Sequence, residues 1–302
     1  MATCHWDRQA AEADQLLRRA DELAEREPGT EPARAAARQA VRATDALALD
    51  RGSPADLRRL GQALWRQASA FLVSGEPTAA LAPARRCWVL TERALARASP
   101  TDAGWGEAVG DAVQRLGVIL PALSGGGRPG EADEVYQACS AAVARNVVGG
   151  PRVRQAQARL AVFYLTEAAD AYAAARLEGR WEQVADQAYL DLLAGRETAA
   201  TLREFAGDGP VEVIEVATTL RMVSRIATVA GELPQAAATL DEAIGLAETV
   251  AARGPAYRAL LQGLRAEREG LGPVEPAGRS GPEPVRSGRV RGWRAGRRSR
   301  LA

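Results

Sequence analysis

Residues 68–80 read Ala-Ser-Ala-Phe-Leu-Val-Ser-Gly-Glu-Pro-Thr-Ala-Ala, a helical stretch stopped at Gly75 and restarted at Pro77. Glycine accepts the left-handed backbone that closes a helix, and proline is at home in the first turn of the next. Gly127, Gly179 and Gly231 follow at successive intervals of 52 residues, each again between two alanine-rich stretches. Self-similarity at a fixed period predicts a stacked repeat architecture, in which each unit buries its apolar face only against its neighbours.

The composition suits that reading. Hydrophobic residues make up 47% of the 302, but much of this is alanine and only 5% is aromatic. Small residues let helices approach closely, whereas a single globular core draws on more Phe, Ile and Val. All 39 basic residues are arginine and the one asparagine is Asn146, a bias that reads as GC-rich coding and predicts a GC-rich bacterial source. The net charge of +1 conceals an asymmetry: eight arginines and two glutamates lie from Leu271 onward, against 31 basic and 36 acidic residues before it. A mildly acidic body with a basic tail raises the question of a polyanionic partner.

Three widely spaced cysteines, Cys4, Cys87 and Cys139, form no disulfide framework, and the N-terminus lacks an apolar signal core. No run approaches a membrane span. These features predict a cytoplasmic, thiol-reduced protein that is not integral to a membrane.

Further stop-and-start signals fall at Glu27-Pro28-Gly29, Arg51-Gly52-Ser53-Pro54, Ser99-Pro100, Ser124 to Gly130, Gly149-Gly150-Pro151, Gly207 to Pro210 and Gly254-Pro255. Between them the apolar residues recur at spacings of three and four, as in Leu57, Leu60, Leu64, Ala68, Phe71 and Leu72. A second such stripe is Ala236, Leu240, Ala243, Ala247 and Val250. Each marks the apolar face of a surface helix, and no alternating pattern predicts a strand. The expectation is about ten repeat helices over residues 7–270, the last followed by a shorter one at 256–269. The segment 271–302, rich in Pro, Gly, Ser and Arg, is expected to be disordered.

Aligned on their glycines, the units share small residues at fixed offsets. Ala80, Ala132 and Ala236 stand five residues after Gly75, Gly127 and Gly231, with Val184 after Gly179. Cys87, Cys139 and Ala243 stand twelve after three of them, and Ala68 and Phe71 precede Gly75. This arrangement resembles the tetratricopeptide repeat (TPR), best over residues 60–92 and 218–248. The third unit fits with an insertion in Ser124-Gly125-Gly126-Gly127, and the fourth is degenerate. The family period is 34 residues, so these would be long, extended repeats. The resemblance implies an all-α, right-handed superhelical solenoid of antiparallel hairpins. It also implies a concave groove lined by the first helix of each hairpin. Its groove positions carry over to Gln62, Trp65, Ser69 and Leu72, to Asp111 and Gln114, to Arg176, and to Thr218, Arg221, Arg225 and Thr228.

No catalytic constellation is visible. His5 is the sole histidine, near the terminus, and Cys4-His5 lacks metal-ligand spacing. Cys87 and Cys139 read as small packing residues. The glycine run at 124–130 lacks the Lys-Ser/Thr of a phosphate loop and reads as a flexible loop. Carboxylates such as Glu131, Asp133 and Glu134 favour a helix start. The expectation is a non-enzymatic protein without cofactor or metal, an adaptor that binds a peptide or helix of another protein. The alternative is a nucleic-acid-associated regulator using Arg289, Arg291, Trp293, Arg294, Arg297, Arg298 and Arg300, with the indole stacking on a base or the arginines meeting an anionic surface.

Overall fold

The computed structural model describes residues 2–50, 52–99, 104–145, 150–206 and 209–272. The basic tail therefore lies outside the described residues. Eleven α-helices and no strand are present among them: α1 (Ala2–Arg26), α2 (Glu31–Asp50), α3 (Pro54–Val73), α4 (Pro77–Arg97), α5 (Trp105–Gly125), α6 (Pro129–Ala144), α7 (Pro151–Leu177), α8 (Ala185–Phe205), α9 (Pro210–Ala230), α10 (Leu233–Val250) and α11 (Pro255–Gly270). Ten helices and an eleventh of 16 residues match the helix count expected from periodicity. None of the described helices is long and apolar enough to cross a membrane. The chain divides within α7 into two compact units, residues 1–156 and 157–302.

The four periodic glycines do the same job. Gly75, Gly127, Gly179 and Gly231 have φ of 74°, 76°, 70° and 87°. In each turn the glycine N–H donates to the carbonyl three residues back, and the next N–H to the carbonyl five back. These pairs are Gly75 to Leu72 and Glu76 to Phe71, then Gly127 to Ser124 and Arg128 to Leu123. Gly179 to Arg176 and Arg180 to Ala175, then Gly231 to Thr228 and Glu232 to Ala227, complete the set. The left-handed residue brings the last carbonyls of the helix within reach of donors beyond it. Prolines at the starts of α3, α4, α6, α9, α10 and α11 then begin the following helix.

One turn differs from its sequence reading. The glycine run at 124–130 is no flexible loop: α5 continues through Gly125 and α6 begins at Pro129. A Cβ on Gly126 would stand 2.6 Å from Leu81, and one on Gly125 would stand 2.9 Å from Pro77. The glycines are there because the turn lies directly against α4.

Small residues at the fixed offsets are buried. Ala80, Ala84 and Cys87 on α4, and Ala236, Ala243 and Ala247 on α10, have no exposed surface, and Cys139 on α6 has none either. In the first unit α1 packs on α2, α2 on α3, α3 on α4, α4 on α5 and α5 on α6. In the second, α8 packs on α9, α9 on α10 and α10 on α11. Ion pairs link several helices to the next but one. Arg59 meets Asp14 at 2.7 Å and Arg66 meets Asp21, joining α3 to α1. Arg86–Asp45 joins α4 to α2, and Arg85–Glu131 joins α4 to α6. Within the second unit Arg159–Glu215 and Arg225–Asp170 join α7 to α9, Arg203–Glu242 joins α8 to α10, and Arg221–Glu267 joins α9 to α11. Solvated pairs of this kind contribute roughly 0.2–1 kcal/mol each, so they fix register more than they supply stability. Each unit is thus a repeat-like helical array.

The glycine turns give a direct stability test. Nothing lies within 4 Å of the position a Gly75 Cβ would take. Gly75→Ala therefore adds only backbone strain, about 1–2 kcal/mol of lost stability in urea unfolding. Gly126→Ala, which collides with Leu81, loses more.

Candidate functional site

The structure distributes the carried-over groove positions unevenly. Gln62, Trp65, Ser69 and Leu72 lie on α3, and Asp111 and Gln114 lie on α5 of the same unit. The two helices approach at Gly61, where a Cβ would stand 3.0 Å from the Arg115 guanidinium. Arg115 in turn donates to Thr91 Oγ1 at 2.9 Å, with Asp111 3.9 Å away. Gln62 and Gln114 are exposed, whereas Trp65, Ser69, Leu72 and Asp111 are half-buried. Arg66 lies 4.6 Å over the Trp65 ring, and the indole N–H is buried without an acceptor. Trp65 is therefore partly a packing residue.

In the second unit Arg176 is exposed and stands 5.0 Å over the ring of Trp181. Arg221 and Arg225 are engaged by Glu267 and Asp170 of neighbouring helices. Thr218 is half-buried, and exposed Thr228 donates back to the Ser224 carbonyl at 2.9 Å. Two of the arginines expected to meet a ligand thus hold the array together. The tail positions Arg289 to Arg300 lie outside the described residues.

Sequence reasoning missed the most unusual interior position. Twelve residues after Gly179, where the other units carry Cys87, Cys139 and Ala243, stands Asp191, only 3% exposed. Seven before Gly179, in register with Ala68, stands Tyr172, equally buried. Tyr172 and Tyr164 from α7 both donate to one Asp191 oxygen, the latter at 2.8 Å, and Gln187 Nε2 donates to the other at 2.9 Å. The degenerate unit therefore replaces a small–small crossing by a hydrogen-bonded carboxylate. Burial, then the neighbouring Asp191, pushes the Tyr172 hydroxyl well above its usual range. The unit also lacks a proline after its glycine. A 3₁₀ turn at Trp181–Gln183 precedes α8 instead, with Trp181 packed on the core.

Those inward contacts determine what α8 shows outward. Ala188, Asp191, Leu192, Gly195, Thr198, Ala199 and Leu202 face in. Gly195 is pressed so closely that a Cβ would stand 2.7 Å from Val223. Tyr189, Leu190 and Leu193 are left 44%, 57% and 48% exposed. Beyond them, α8 and α10 enclose a groove of about 280 Å³ floored by Leu220 and Ala199, with Arg196 and Arg203 on one side and Glu242 on the other.

The thiols of Cys87 and Cys139 are shielded by burial. Cys87 donates weakly to the Gly61 carbonyl at 3.4 Å, and burial raises its pKa. Burial pushes the Cys139 thiol up to about 12. His5 packs edge-on against Trp6 in α1.

Comparison with protein-family models, curated proteins and solved structures gives no match.

Two outcomes follow from the buried groups. Asp191→Ala strands two tyrosine hydroxyls and loses about 2–4 kcal/mol in chemical unfolding. Tyr172→Phe in that background costs far less than in the wild type. In a Cys4→Ser chain, a thiol-reactive disulfide reagent titrates no cysteine until denaturant is added. A raised thiol or phenol pKa means that the folded state holds its proton more tightly than the unfolded chain. Stability is therefore full below about pH 9 and declines as pH rises toward 12. Thermal melts across that range read the decline.

Proposed function

We propose that this chain is a TPR-like helical repeat protein that binds a peptide or helix of another protein, as a scaffold or regulatory adaptor. The observation that carries the reading is the recurrence of one turn, with the same left-handed glycine and the same pair of hydrogen bonds, four times at 52-residue spacing. Chains built this way spend their length on extended surface, because each unit needs only its neighbours for a core. On this reading the repeats are long versions of the family hairpin, wound right-handedly, in a cytoplasmic bacterial protein.

The face offered by α3 and α5 is the preferred groove. It combines exposed Gln62 and Gln114 with half-buried Trp65. An aromatic anchor beside amide hydrogen-bonding groups is a common composition for peptide recognition. Arg176 is the second-unit arginine of the carried-over set that has no ion pair with another helix among the described residues.

A second reading rests on the sequence from Arg286 to Arg300, seven arginines around Trp293. Such a segment would add salt-dependent, sequence-independent affinity for nucleic acid.

Pull-downs with full-length and 1–270 chains, before and after nuclease, separate the two. The adaptor reading expects partners that survive nuclease and tail removal and are lost on Gln114→Arg and Trp65→Ala, with circular dichroism confirming the fold. Partners lost with the tail or with nuclease would instead support the second reading.

A further inference from the structure

The outer surface of α8 is organised in a way that folding does not require. Tyr189, Leu193, Arg196, Ala200 and Arg203 follow at spacings of four, three, four and three, and all five are exposed. This is the seam spacing by which one helix receives another. Here it faces solvent, because Asp191 and Gly195 lock the opposite side of α8 against α7 and α9. The seam is apolar at its N-terminal half and cationic at its C-terminal half. Arg203 is paired with Glu242 across the groove, whereas Arg196 has no carboxylate partner among the described residues.

We infer that the groove along α8 and α10 is a docking site for an acidic amphipathic helix of a different protein. Such a helix would set two or three apolar side chains on Tyr189 and Leu193 and direct a carboxylate to Arg196. The seam from Tyr189 to Arg203 spans about 21 Å, so it takes roughly four turns of the incoming helix. The chain's own tail is a poor occupant, since its eight arginines would meet Arg196 and Arg203 as like charges. A second copy is disfavoured by geometry. Arg196 is the middle member of the seam, and two-fold pairing of the seam with itself would place it against the same residue of the other copy. This site is independent of the α3–α5 face, so either can fail without the other.

The test pans a display library of helical peptides, about 16 residues long, on the immobilised full-length chain. The expected clones carry apolar residues at helical spacing together with Asp or Glu. Measured by fluorescence anisotropy, their affinity falls at least about tenfold for Arg196→Glu and for Leu193→Asp. Both changes are at exposed positions, and thermal melts check that the fold is kept. Replacing the peptide carboxylate by lysine restores binding to Arg196→Glu, and Gln114→Arg leaves binding unchanged. The inference is overturned if enriched peptides are basic, if their binding ignores both substitutions, or if no clone is enriched. It is also overturned if a synthetic 273–302 peptide binds in a manner sensitive to Leu193→Asp. Sedimentation showing a dimer that Leu193→Asp dissolves would overturn it as well, assigning the seam to a second copy.

Discussion

Close approach of paired helices is the constraint on which the rest of this structure depends. A chain with few aromatics fills its interior by bringing backbones together, and alanine is the side chain that allows it. Ala80, Ala84 and Cys87 on α4 and Ala236, Ala243 and Ala247 on α10 have no exposed surface. The left-handed glycine before each of these helices sets where it starts, and hence which residues arrive at the crossing. A turn displaced by one residue would rotate the following helix by about 100° and carry its small residues away from the partner. The glycine period and the small-residue offsets are therefore one constraint seen at two places.

The turn at Gly179 shows how far the constraint can be bent. Asp191 occupies a position that small residues hold elsewhere and Tyr172 stands in register with Ala68, and a buried carboxylate without partners would be prohibitive. Two tyrosine hydroxyls and a glutamine amide satisfy it. Hydrogen bonds are directional where alanine packing is not, so this crossing has a fixed helix rotation. That rotation is what leaves Tyr189, Leu190 and Leu193 turned to solvent.

Much of the fold was legible in the chain because turn chemistry is local. Gly and Pro act within a few residues, so all four period glycines and the eleventh helix could be read directly. The glycine run at 124–130 was misread for the opposite reason: its need for small residues comes from Pro77 and Leu81, far away in sequence. The site was less legible. Arg221 and Arg225 looked available to a ligand because their partners, Glu267 and Asp170, lie 46 and 55 residues off. Offsets between helices two apart run from 39 to 56 residues, because they depend on helix length and register. Asp191 did carry a signal, since it breaks the series of Cys87, Cys139 and Ala243. The outward face of α8 did not, because Tyr189, Leu190, Leu192 and Leu193 are apolar on several sides and only packing decides which is buried.

Magnitudes decide how that face can work. Tyr189, Leu190 and Leu193 are each already about half-covered, so burying what remains contributes roughly 1 kcal/mol apiece. Ordering a partner helix costs on the order of 4–15 kcal/mol in lost freedom. The apolar residues alone therefore hold nothing. The groove beside them adds to these contacts, because a side chain seated over Leu220 and Ala199 buries further apolar surface there. A carboxylate on Arg196 adds a charge-assisted hydrogen bond to the apolar contacts. The same two terms make the face selective. Without the charge an apolar helix is held too weakly to stay, and without the apolar half an acidic segment meets one cation like any other on this arginine-rich surface.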